Sequence, residues 1–172
     1  MNKAFPNPAG FSPLGHLARV RFHQALPERP RVLHVGCGDG SDLLFFSNNG
    51  CRVAGTDPSD ANLRLCRGKF PAGISLRRMT AQEFSDPQGT WDGIWVPEAL
   101  STVPMNRQVV VLCALIRSLS SGGVLMARIG SGTIPAGSGV TLYDQAFART
   151  CLREASLRVP CFTSVTPGPD RT

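Results

Sequence analysis

The chain has 172 residues, 42% of them hydrophobic, which is enough for one buried core and too little for a second independent domain. Its 18 basic and 12 acidic residues give a net charge of +6, and only Lys3 and Lys69 among the cations are lysines. No apolar run approaches the ~20 residues that a helix needs to cross a bilayer, and no membrane partner is expected.

In chain order, Phe5 to Pro13 is a lead-in punctuated by proline that cannot be helical throughout. Met1 to His16 has one lysine followed by proline and glycine, unlike a secretory leader, and the expected location is cytoplasmic. Leu14 to Leu26 predicts a short cap helix with Leu14, Leu17, Ala18 and Ala25 apolar and Val20 and Phe22 less regular. Residues 1–30 thus form a lead-in and cap, and residues 31–172 one domain.

The stretch from Arg31 to Ser59 carries most of the information. Leu33 to Val35 reads as a strand interrupted only by His34, and Gly36, Gly38 and Gly40 follow at alternate positions. Glycines this close let the backbone turn sharply and approach a ligand. Leu43 to Phe46 opens a helix whose amide end faces the turn. Arg52 to Thr56 is the next strand, ended by Asp57, 17 residues past Gly40. A carboxylate there can accept both hydroxyls of a ribose, which points to an adenosine-type cofactor.

Further on, Pro58 and Ser59 start a helix to about Lys69, and Ile74 to Arg78 is a third strand. Met79 to Thr90 is loop with a helical turn at Ala81 to Phe84. Trp91 to Val96 is a fourth strand, in which Trp95 is expected to be core. Asn106 to Leu119 is the clearest helix, with Val109, Leu112, Cys113, Ile116 and Leu119 on one face. Val124 to Ile129 is a fifth strand, Gly130 to Gly139 a loop, Leu142 to Ala155 a helix and Leu157 to Val165 a last strand broken by Pro160. The alternation implies an α/β fold with a doubly wound, mostly parallel sheet. Ligands in such sheets bind outside the carboxyl ends of the strands. That gathers Gly36 to Gly40, Asp57, Met79 to Gln82 and Val96 to Glu98 around one crevice.

A dinucleotide fingerprint requires its third glycine three residues after the second, where this chain has Ser41. The pattern Gly36-x-Gly38-x-Gly40 with Asp57 instead resembles the first motifs of the class I S-adenosylmethionine-dependent methyltransferases. The resemblance runs from about Arg31 to Val165 and is closest to small bacterial enzymes acting on thiols, metalloid oxyanions or other small acceptors. It implies a Rossmann-like fold, S-adenosyl-L-methionine as cofactor and a small-molecule acceptor. It also implies a cofactor site of His34, Gly36, Cys37, Gly38, Gly40, Asp57, Pro58, Thr80, Ala81, Gln82 and Val96.

Two positions depart from the family. His34 stands where an acid usually helps to hold the methionine amino group, and a neutral imidazole brings no negative charge. Thr80 stands where an aspartate often accepts from the adenine amine, leaving Gln82 and the Ala81 backbone to contribute. Asp39 and Asp42 are expected to cap the helix that follows the turn. Cys37 is expected to be a small residue that fits and not a nucleophile, and the six cysteines, without a C-x-x-C pair, to be reduced thiols.

Candidate general bases are Glu98, the best placed, with His16, His23, Tyr143 and Asp144. An already ionised acceptor needs no base. Nucleic acid is disfavoured as a partner. The arginines are scattered, and Val96-Pro97-Glu98-Ala99 occupies the place of the Asn/Asp-Pro-Pro-aromatic motif of amine-directed base methyltransferases. Two alternatives stay open: a non-catalytic subunit of the same fold, and a different reaction of the same cofactor. The family's final antiparallel strand has no counterpart after Val165, so a homodimer or a partner subunit along the fifth strand is expected.

Overall fold

The computed structural model describes residues 13–70 and 72–127. The elements are helix α1 (Pro13–Gln24), strand β1 (Arg31–Val35), helix α2 (Ser41–Asn48), strand β2 (Arg52–Asp57), helix α3 (Asp60–Gly68), strand β3 (Ser75–Arg78), strand β4 (Trp91–Val96), helix α4 (Met105–Arg117) and strand β5 (Leu119–Ala127). Short 3-10 turns at Ala81–Glu83 and Ala99–Thr102 follow β3 and β4. All pairings are parallel, in the order β3-β2-β1-β4-β5. The chain winds outward from β1 to β3, then crosses to the other side of β1, and the crevice of such a sheet opens at that reversal.

The pleat explains the two layers. Leu33 and Val35 of β1 face a core with Ile94, Val96, Leu100, Val111, Leu112 and Leu115, which docks α4. Val32 faces the other way, against Phe22 of α1, Phe46 of α2 and Trp95. Next to it, Leu43, Leu63 and Cys66 seal α2 and α3 onto β2 and β3. Phe22, Phe46 and Trp95 form an aromatic knot with centroids 5.1–5.3 Å apart, and each large apolar side chain buried this way contributes roughly 1.5–3 kcal/mol.

Several expectations shift. In α1 the buried face is Arg19 and Phe22, while Leu17 is 44% exposed. Leu119 belongs to β5 and not to the preceding helix, because the Trp91 amide bonds the Ser118 carbonyl and Trp91 pairs with Leu119. Pairing then slips between Trp91 and Gly93 and resumes at Val124, so β5 starts five residues before its expected start at Val124. At that end of the sheet Asp92 bonds Arg31 and Ser120, and the Arg31 bonds hold its carboxyl down at about 2. The expected loop at 130–139, helix at 142–155, last strand at 157–165, missing antiparallel strand and lead-in at 5–12 lie outside the described residues.

Candidate active site

The turn from Gly36 to Gly40 has positive φ at all three glycines, 73°, 52° and 80°. Two are also fixed by packing: a Cβ on Gly36 would come within 2.8 Å of the Ala99 Cβ, and one on Gly40 would collide with the Cys66 sulfur. Gly38 differs, for nothing lies within 4 Å of the place its Cβ would take. The backbone is bare on that side, as a cradle for a ligand requires. The Gly36 and Cys37 amides both bond the Thr56 carbonyl, at 2.8 and 2.9 Å, which ties the turn to β2.

Asp57 is 5% exposed and is the hub of this edge. One carboxylate oxygen accepts the Gly38 amide at 2.9 Å, and the other accepts the Ser59 amide at 2.9 Å and the Asn62 side-chain amide at 3.2 Å. A carboxylate has about four acceptor sites, so one stays open, and a ligand diol would take the place of the Asn62 amide to use two. Pro58 is exposed beside it, its carbonyl accepting from Arg78 at 3.3 Å.

His34 is 3% exposed, and neither ring nitrogen has a partner. Burial pushes its pKa down to about 4, against the pull of Asp42, Asp57 and Asp39. The imidazole is therefore neutral at physiological pH and offers one acceptor nitrogen. A buried polar group left unbonded costs about 1–3 kcal/mol, which a bound amine would recover.

Thr80 is already engaged: the Glu83 carboxylate accepts its amide at 2.7 Å and its hydroxyl at 2.8 Å. Glu83, missed from the sequence, is signalled only by the Thr-x-x-Glu spacing of a capping box. Ala81 is buried and Gln82 exposed. Val96 is fully buried at the end of β4, and Glu98 is exposed just beyond it. Because the strands are parallel, these groups share the carboxyl edge with the glycine turn.

The helix-capping expectation holds for Asp39 and fails for Asp42. Asp39 accepts the Ser41 amide at 3.0 Å, its hydroxyl at 2.8 Å and the Lys69 ammonium at 2.6 Å. Asp42 caps nothing; it accepts Arg19 at 3.2 Å and the Trp95 indole at 2.7 Å. Arg19 is 1% exposed and also stacks over Phe45 at 5.2 Å. Burial lowers its pKa and Asp42 opposes that. Of the candidate bases, His23 bonds the Asn49 carbonyl at 2.9 Å, past the far end of α2, so it is at the wrong edge of the sheet. His16 packs edge-on to Phe45, and Tyr143 and Asp144 lie outside the described residues. Cys37 is buried and its thiol is pushed up to about 12, chiefly by burial, which opposes a nucleophilic role.

Residues 32–123 match a family model described as a methyltransferase domain. The chain is 35% identical over 122 residues to the trans-aconitate 2-methyltransferase of Variovorax paradoxus, covering 66% of this chain and 42% of that protein. It is 31% identical over 115 residues to the ubiquinone biosynthesis O-methyltransferase of Hahella chejuensis, covering 62% and 48%. The chain thus spans somewhat under half the length of these curated relatives. The solved S-adenosylmethionine-dependent methyltransferase of Mesorhizobium loti is similar at TM-score 0.54 and 26% identity, over 62% of this chain and 50% of that one. The 1,6-didemethyltoxoflavin-N1-methyltransferase of Burkholderia thailandensis is similar in fold, at TM-score 0.64 and 20% identity, over 81% and 65%. With the family model covering more than half of its residues, the chain belongs to the methyltransferase domain family.

Proposed function

We propose that the chain binds S-adenosyl-L-methionine at the carboxyl edge of the sheet and transfers its methyl group to a small-molecule acceptor. The observation that carries this is Gly38, a bare backbone position whose amide is held by the acid ending β2. The His34 ring nitrogens, two residues before the turn and without a partner, also fit a ligand with an amino group.

When bound, the cofactor supplies an activated methyl group on a sulfonium. The protein's share is alignment. Gly36, Cys37, Gly38 and Gly40 give a backbone surface, Asp57 takes ribose hydroxyls, and His34 accepts from the amino group. Pro58, Thr80, Ala81, Gln82 and Val96 line the adenine side, with Thr80 shaping the wall and not donating to it, because Glu83 holds both its amide and its hydroxyl. Glu98, exposed beyond β4, is the base for an acceptor that must lose a proton.

A second reading, a non-catalytic subunit of the same fold, is favoured by His34 and Thr80, which replace two of the usual polar contacts. We also propose a cytoplasmic location, supported by unlinked thiols at Cys37, Cys51, Cys66 and Cys113. A second copy or partner chain is proposed along the outer side of β5, the end strand among the described residues, and light scattering reads it directly. No helix among the described residues is long and apolar enough to cross a membrane.

Calorimetry against S-adenosylmethionine, S-adenosylhomocysteine and NAD tests the binding, and tighter NAD binding overturns it. Product analysis then separates the reactions. S-adenosylhomocysteine supports methyl transfer, methylthioadenosine supports another use of the cofactor, and binding without turnover across small acceptors supports the subunit.

A further inference from the structure

Two thiols lie directly under the glycine turn. Cys37 is in the turn itself, between Gly36 and Gly38, and Cys66 is on the buried face of α3. They share one core cluster with Leu43 and Leu63, and Gly40, whose Cα faces the Cys66 sulfur, donates its amide to the Cys37 carbonyl at 2.9 Å. The layer is tight from both sides. A Cβ on Gly40 would strike the Cys66 sulfur, and one on Gly55 would sit 2.9 Å from the Cys37 sulfur. The other two described cysteines are elsewhere, Cys51 beside Phe22 and Phe46 and Cys113 on α4.

We propose that Cys37 and Cys66 are an oxidisable dithiol, and that closing it into a disulfide deforms the glycine turn and weakens binding of the adenosyl cofactor. The effect on binding rests on the cofactor reading given above. Thiols that only pack together in a core must bring their sulfurs to about 2 Å to be bonded, so the backbone must yield somewhere. Helix α3 is anchored by fully buried Leu63 and capped by Ser59. The turn is the softer element, and any shift of Cys37 moves the Gly38 amide that Asp57 holds.

The chemistry balances with a hydroperoxide as oxidant. In an open state of the turn, where water relieves the burial that keeps the thiols protonated, one thiolate attacks the peroxide, breaking its O–O bond to give a sulfenic acid and an alcohol, and the second thiol then displaces water as the S–S bond forms. The sulfur pair loses two electrons and two protons, and the peroxide is reduced to alcohol and water. Both sulfurs are buried, at 3% and 0% exposure, so oxidation proceeds through open states of the turn and a bound ligand slows it.

The test treats the full chain with hydrogen peroxide, with and without S-adenosylhomocysteine, and maps non-reduced peptides by mass spectrometry. The expected result is a species lighter by two hydrogens, linked Cys37 to Cys66, forming more slowly with ligand present. The dissociation constant for S-adenosylhomocysteine should rise at least about tenfold, and a phosphine reductant should restore it. Hydrogen exchange at the Gly36 to Ser41 amides should change on oxidation. Cys66→Ala, with Cys66→Ser as a second variant, should abolish the link, the loss of affinity and the exchange change. Linkage through Cys51 or Cys113, or a Cys37–Cys66 link that leaves both binding and exchange unchanged, overturns the proposal. Failure of the reduced protein to bind any adenosyl ligand defeats the cofactor reading instead, and the mapped link with the exchange change then decides the dithiol alone.

Discussion

The Asp57 carboxylate accepts the Gly38 amide at 2.9 Å, so the acid at the end of β2 and the turn after β1 are one structural unit. The same residue that offers a ribose its acceptors also sets the shape of the surface beneath it.

Asp57→Ala is therefore expected to act twice. Cofactor affinity should fall by about 1.5–3 kcal/mol, the scale of hydrogen bonds to a charged group, and the melting temperature should fall as well because the Gly38, Ser59 and Asn62 donors lose their partner. Calorimetry and thermal unfolding of the variant read the two separately, and unchanged affinity would refute the ribose role.

Gly38→Ala and Gly40→Ala should divide binding from folding. At Gly38 a methyl group meets open space, so the fold pays only for the positive φ, about 1–2 kcal/mol, while the ligand is excluded. At Gly40 the methyl meets Cys66 and stability falls further. Chemical denaturation beside ligand titration should rank the two variants in opposite order.

His34→Asp should lower the melting temperature of the ligand-free protein, since it adds a buried carboxylate near Asp39, Asp42 and Asp57. It should also enlarge the melting shift that S-adenosylhomocysteine induces, because the ammonium then meets a charge. A smaller ligand-induced shift than in the parent would show that the imidazole itself is required.

The same histidine gives an acid limb to stability. Its folded pKa of about 4 lies below its unfolded value of 6.5, so the unfolded chain takes up the proton first. Stability is whole above pH 6.5 and declines as pH falls toward 4, by up to about 3 kcal/mol. Urea unfolding at a series of pH values should show this limb, and His34→Gln should flatten it.

Asp42→Ala should destabilise the fold by about 3 kcal/mol or more, since it withdraws the carboxylate from a guanidinium that is 1% exposed. It should also shift Trp95 fluorescence, because the indole loses its acceptor. Replacing the pair together, as Arg19→Met with Asp42→Leu, should recover most of the loss.

How much of this was legible follows from where each signal lies. The glycine turn, Asp57 and the β-α-β succession announce themselves over fewer than 30 consecutive residues, Arg31 to Ser59, because backbone conformation and strand burial are local demands on sequence. The Arg19–Asp42–Trp95 network spans 76 residues, and each member looked ordinary alone: a charge on a helix, an acid near a helix start, an aromatic in a strand. In α1 the apolar spacing of Leu14, Leu17, Ala18 and Ala25 leaves Phe22 irregular, and only the packing shows that Arg19 and Phe22 are the buried face. The early start of β5 was hidden for a related reason: Leu119 fits the helical period of α4, and only its partner Trp91 decides against it.

The central strand also sets a timetable for making the protein. Arg31 pairs with Arg52 in β2, but Val32 waits on its other side for Gly93 in β4. At translation speeds of about 5–20 residues per second, the 36 residues from Asp57 to Gly93 take roughly 2–7 s to synthesise. Through that interval the growing chain carries one bare, apolar edge on β1, with Leu33 and Val35 still lacking Ile94 and Val96. Ala99, which closes against Gly36, arrives later still. The glycine turn therefore gains its Ala99 backing only after β4 has covered that edge, so the packing behind the ligand surface is completed last.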